Sequence, residues 1–82
     1  MATLRVRLFA AHREAAGAPH VDLRLALPAP VSQVRAALNS QWPALARAGD
    51  ATLFAVNGQF APEGRLVREG DEVAAFPPVA GG

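Results

Sequence analysis

The hydrophobic period of the chain changes once in its first half, and that change limits the folds open to it. In TLRVRLF, Leu4, Val6 and Leu8 fall on one side of an extended chain and Arg5 and Arg7 on the other, the period-2 pattern of a half-buried strand. VDLRLAL repeats it, with Val21, Leu23, Leu25 and Leu27 opposed to Asp22, Arg24 and Ala26. From residue 31 the period lengthens, and Val31, Val34, Leu38, Trp42 and Leu45 recur as one face of a helix requires. Strands and a helix that are each apolar on one side must bury those sides against one another, which is an α+β plan.

Turn residues divide the rest. AAHREAAGAP, between the two strands, is long enough for about one helical turn, stopped by Gly17 and Pro19. Pro28 and Pro30 break the second strand, and Ser32 is the expected N-cap of the helix. Pro43 ends the regular helix near Trp42, with a short extra turn before Gly49. LFAV, from Leu53 to Val56, reads as a buried strand, and Asn57-Gly58 after it is a strong hairpin signal leading to a brief strand from Gln59 to Ala61. Pro62, Glu63 and Gly64 make a loop, Leu66 and Val67 return to the core, Gly70-Asp71 turns the chain, and Glu72 to Phe76 forms a last strand. The expectation is one domain over residues 1–76, a mixed sheet of four to five strands with one main helix on one face. With the first and last strands side by side, the last delivers its end to an edge, and residues 77–82 project as an extended tail.

Composition excludes several kinds of function. At 82 residues, 51% hydrophobic and 18% charged, the chain has room for one small core and no second domain. Eight arginines are spread along it against seven acids, without basic clusters interleaved with aromatics, so no nucleic-acid partner is expected. No cysteine is present, which removes disulfides, thiolate metal sites and cysteine nucleophiles. Arg5 and Arg7 interrupt the N-terminal apolar run, and VAAFPPVAGG is too short to span a bilayer, so a cytoplasmic protein without a membrane partner is expected. His12 and His20 read as solvent-facing loop histidines, with no acid at metal-ligand spacing. Asp71 and Glu72 would point to opposite faces of a strand, and Gly58, Gly64 and Gly70 match no phosphate-binding loop. No catalytic side chain, metal or bound cofactor is expected.

What remains is FPPVAGG, from Phe76 to Gly82. Pro77 and Pro78 hold φ near −65° and make a stiff spacer. Val79 and Ala80 are small, and Gly81 and Gly82, without Cβ atoms, fit a channel too narrow for a side chain. A terminal carboxylate is ionised at neutral pH and is a poor electrophile. To carry a group it must first be activated, for example as a mixed anhydride with AMP.

GDEVAAFPPVAGG, from Gly70 to Gly82, closely resembles the ending of the molybdopterin synthase small-subunit family. The likeness extends to the opening strand with FAAHREAAG, the helix after Pro30 and the AVNG stretch. The resemblance implies a ubiquitin-like β-grasp fold and a sulfur carrier that is no enzyme by itself. Gly82 would be adenylated by an E1-like adenylyltransferase using ATP and converted to a thiocarboxylate. Pro77, Pro78, Val79, Ala80, Gly81 and Gly82 would then insert into a large subunit that passes the sulfur to cyclic pyranopterin monophosphate. Two small and two large subunits would assemble, with Phe76 as an apolar anchor facing the partner or as part of the core. The same ending is compatible with a sulfur carrier for thiazole synthesis, with a ubiquitin-like protein modifier and with a bare interaction module.

Overall fold

The computed structural model describes residues 1–46 and 52–78. The two period-2 runs form β1 (Ala2–Leu8) and β2 (His20–Leu25), an antiparallel pair in register from Ala2↔Leu25 to Arg7↔His20. Leu4, Val6, Leu8, Val21, Leu23 and Leu25 are buried, so one face of the pair is core and the other carries the charges. The connection is α1 (Ala10–Ala16), longer than the single turn expected. Gly17 closes it at φ 71°, a left-handed conformation that glycine adopts without Cβ strain, and its N–H bonds the carbonyls of Arg13 and Glu14.

After β3 (Ala29–Pro30) comes α2 (Val31–Gln41), which buries Val31, Val34 and Leu38 against the sheet. Ser32 is not its cap: Pro30 holds that position, and no side chain caps the helix. The N–H groups of Val31 and Ser32 donate instead to the carbonyls of Arg65 and Glu63, at 2.9 and 3.0 Å, so a distant loop supplies the acceptors that a side chain was expected to give. Pro43 opens a 3₁₀ turn (Pro43–Leu45) that buries Leu45, the final member of the helical apolar series.

β4 (Leu53–Val56) and β5 (Gln59–Ala61) form the hairpin at the expected residues, turning through Asn57 at φ 53° and Gly58 at φ 80°. These two positive angles define the hairpin turn that Asn-Gly favours. The prolines after β2 do more than break it, because β3 pairs antiparallel with β6 (Leu66–Val67) in a separate two-stranded sheet.

β7 (Val73–Phe76) is the centre of the main sheet, in the order β2-β1-β7-β4-β5. It runs parallel to β1 and antiparallel to β4. The first and last strands are thus neighbours, as expected, and the last is also paired on its other side. β1 and β4 both offer it backbone partners, and Val73 and Ala75 are buried, so the middle is where its apolar side is covered best.

The outer edge of β2 is closed by α2. Gln41 Nε2 donates to the Arg24 carbonyl at 2.7 Å and its Oε1 accepts from the Arg24 N–H at 2.9 Å. A side-chain amide thus takes the place of a neighbouring strand.

Candidate functional site

β7 carries the chain to the residues singled out in the sequence. Phe76 pairs with Leu53 across β4 and is half-buried on the face of the sheet away from α2, so it lies outside the core cluster. Pro77 is half-buried and Pro78 is exposed. Pro77 lines a groove of about 520 Å³ whose walls are Ala11 and Ala15 of α1 and Ala44 and Leu45 of the 3₁₀ turn. The expected carrier residues Val79, Ala80, Gly81 and Gly82 lie outside the described residues.

The same groove is lined by His12, and here the sequence reading is corrected. His12 is not a loop residue facing solvent. It lies in α1 with 3% of its surface exposed, and its Nε2 shares a 2.8 Å hydrogen bond with Oγ1 of the fully buried Thr52. Burial lowers the His12 pKa, because desolvation disfavours the imidazolium. The physical reason is compositional: apart from His12, Arg13 and Glu14, α1 contains only alanine, so the imidazole is the one bulky side chain able to fill its core side. His20, at the start of β2, is half-buried opposite Arg7.

Thr52 also joins α2 to this network. Its carbonyl accepts from Arg35 Nη1 at 2.7 Å, while Arg35 Nε and Nη2 donate to the two Glu63 carboxylate oxygens at 2.9 and 3.2 Å. The guanidinium lies 5.2 Å from the centre of the Phe54 ring. Thr52, through its side chain and its carbonyl, and the Arg35 side chain thereby fix α1, α2, the start of β4 and the loop after β5 relative to one another.

The far end of β7 is held by a second set of polar contacts. Asn57 Oδ1 accepts from the Glu72 N–H at 2.9 Å, and Asn57 Nδ2 donates to Asp71 Oδ1 at 3.1 Å. Asp71 Oδ2 accepts from the Arg68 N–H at 2.9 Å. This backbone hydrogen bond, followed by that from Asn57, lowers the Asp71 pKa. Asp71 is thus a turn residue, as read from the sequence. Among the described residues, no group of three His, Cys, Asp or Glu side chains converges to hold a metal ion, and no helix is long and apolar enough to cross a membrane.

The sheet face away from α2 is uncovered, a feature the sequence reading assigned no role. Phe60 is 64% exposed and Phe9 43% exposed, and the half-buried Leu53, Ala55, Ala74 and Phe76 lie on this side of their strands. The signal was the alternation itself, which places Phe60 and Phe76 opposite in direction to the buried Ala61 and Ala75.

A mixed five-stranded sheet with parallel outer segments of the chain at its centre, crossed by one main helix, defines a ubiquitin-like β-grasp domain. The chain matches the ThiS family over residues 6–82 and belongs to it. It is 28% identical over 79 residues to the molybdopterin synthase sulfur carrier subunit of Arabidopsis thaliana, covering 96% of this chain and 82% of that protein. It is 32% identical to the crystal structure of small archaeal modifier protein 1 of Haloferax volcanii, with a TM-score of 0.83 over 96% of this chain and all of that one. The fold also recurs, at 18% identity and a TM-score of 0.66, in the complex of subunits 1 and 2 of the molybdopterin-converting factor of Helicobacter pylori, covering 99% of this chain and 100% of that one.

Proposed function

We propose that the chain is a sulfur carrier of molybdenum cofactor synthesis, a co-substrate that brings no catalytic side chain of its own. Gly82 is adenylated by an E1-like enzyme at the expense of ATP, and sulfide from a donor replaces the adenylate to leave a thiocarboxylate. The tail then enters a large subunit, with which two copies of the chain assemble as a heterotetramer, and the sulfur passes to cyclic pyranopterin monophosphate in the cytoplasm. The observation that carries the reading is the placement of β7. A strand paired on both sides gives Pro77 and Pro78 a rigid base, while a chain without cysteine can carry sulfur only on its terminal carbonyl. The plant relative's name, a sulfur carrier subunit, supports the same pathway.

A second reading is conjugation of Gly82 to protein lysines, favoured by the likeness to small archaeal modifier protein 1. It uses the same adenylated intermediate and differs in the acceptor. The deciding experiment is intact-mass spectrometry of the protein purified from its own cells, with fragmentation to localise any substitution of sulfur for oxygen at Gly82. A thiocarboxylate supports the carrier reading. Only carboxylate after incubation with ATP, a sulfur source and a competent activating enzyme sinks it, and Gly82 in isopeptide linkage to many proteins favours the modifier.

A further inference from the structure

We propose that this chain is a one-way acyl donor: an activated Gly82 carbonyl finds no amine of its own chain within reach, and Arg7 sets positive charge near the root of the tail without offering one. The inference deepens the carrier reading and rests on it in taking Gly82 to be the activated residue.

An activated carbonyl is consumed wherever an amine reaches it. The nitrogen attacks the carbonyl carbon, the adenylate or thiolate leaves with the electrons of the broken bond, and a proton passes from nitrogen to solvent, leaving an amide. A lysine ammonium releases some free amine near neutral pH, whereas a guanidinium keeps its proton and stays inert. All eight basic side chains of the Lys and Arg type are arginine here, and the chain has neither cysteine nor tyrosine. The imidazole beside the tail root, that of His12, is buried with its Nε2 engaged by Thr52 Oγ1.

The amine that remains is the α-amino group of Met1. Met1 is 91% exposed, so distance and not burial must keep it from the tail. β1 and β7 run parallel, with Val6 opposite Val73 and Leu8 opposite Ala75. The start of β1 and the end of β7 therefore lie at opposite ends of the sheet. Along the strands, Met1 stands about 26 Å from the level of Phe76. Residues 77–82, drawn straight from Phe76, span at most about 22 Å. Arg7 lies well inside that range, because it pairs with Ala74, two residues before Phe76. It is exposed, and its guanidinium sits 5.7 Å from the centre of the Phe9 ring. A lysine at this position would hold an amine where the returning tail could meet it.

The test uses the full chain carrying a small-thiol thioester at Gly82, followed by intact-mass spectrometry and a denaturing gel. Wild type is compared with Arg7→Lys and with Ala15→Lys, Ala15 being exposed on the groove wall that Pro77 shares. Both positions are on the surface, so melting temperatures should match the wild type. Wild-type thioester is expected to decay to the hydrolysed chain alone. Either lysine variant is expected to give a monomer one water lighter than the hydrolysed chain, with fragmentation placing Gly82 in amide linkage to the introduced side chain. Ring closure or a head-to-tail dimer in the wild type overturns the proposal, as does hydrolysis alone in both lysine variants. The thioester is made without the activating enzyme, so these outcomes judge the one-way donor alone. A missing thiocarboxylate on protein from its own cells, after the trial with ATP and sulfur, is the separate result that sinks the carrier reading.

Discussion

Nε2 of His12 and Oγ1 of Thr52 meet at 2.8 Å in the interior, joining α1 to the residue that leads into β4. They are forty positions apart in the chain. His12 also lines the groove beside Pro77, so the packing at the root of the tail rests on a histidine whose burial disfavours its charged form.

That dependence sets a pH response. The His12 pKa is lowered by burial, so below its ordinary value of 6.5 the unfolded chain binds a proton that the folded one resists. The stability it supports is present above that value and is lost as pH falls through the folded pKa. The unfolding free energy from urea titrations should drop from about pH 7 to about pH 5, by no more than ~1.4 kcal/mol per pH unit from this group. His12→Gln should flatten the slope, and a variant as pH-sensitive as the wild type would count against the assignment.

Arg35→Lys should destabilise the fold by about 1–3 kcal/mol, because an ammonium cannot make the two-pronged contact to Glu63 and also reach the Thr52 carbonyl. Glu63→Gln should cost less, under about 1 kcal/mol, since the Glu63 side chain is largely exposed whereas that of Arg35 is 12% exposed. Denaturant unfolding of both variants orders the two losses, and the reverse order would contradict this account.

Asn57→Ala should cost about 1–2 kcal/mol, combining strain at φ 53° with loss of the hydrogen bonds to Asp71 and Glu72. The Asp71 pKa is lowered, so its contribution is complete above the ordinary carboxylate value of 3.8 and disappears only as pH falls through the folded pKa. Asp71→Asn should therefore alter the acid limb of a stability profile and leave the His12 limb in place.

Gln41→Ala should speed amide hydrogen exchange at Arg24, whose N–H loses its acceptor at the sheet edge. The effect should be local, with the Val6 and Leu23 amides keeping their protection. Uniform acceleration would mean that Gln41 supports the whole fold rather than guarding one edge.

Under the proposed carrier function, deletion of Gly82 should abolish sulfur transfer, and Gly81→Trp should impair it, with the thermal midpoint unchanged in both. Sulfur delivery to the pterin, assayed with purified large subunit, is the measurement. Full activity in either variant removes the narrow-channel account of the tail.

Much of the architecture was legible because it follows from local patterns. The bounds of β4 and β5, the Asn57-Gly58 turn and the apolar face of α2 rest on spacing and backbone preference, which act over a few residues. The adjacency of β1 and β7 follows from the layout expected of the sheet, whereas the pairing of β7 with β4 on its other side, which makes it central, is set by no local pattern. The β3–β6 pair and the tying of Ser32 to Glu63 depend on partners more than thirty residues away, which no local pattern encodes. His12 was missed for a related reason: a polar residue is read as exposed unless its buried partner is known, and Thr52 carries no signal of its own.

The central position of β7 has a consequence for synthesis. Until residues 73–76 are available, β2–β1 and β4–β5 are separate hairpins with no strand between them, and neither alone supports a stable core. As the chain emerges from its N-terminus, the piece that unites the hairpins is also the piece that leads to the tail. Completion of the sheet and release of the segment that follows Phe76 are therefore one event, and a prematurely released fragment has no folded base on which that segment could be held.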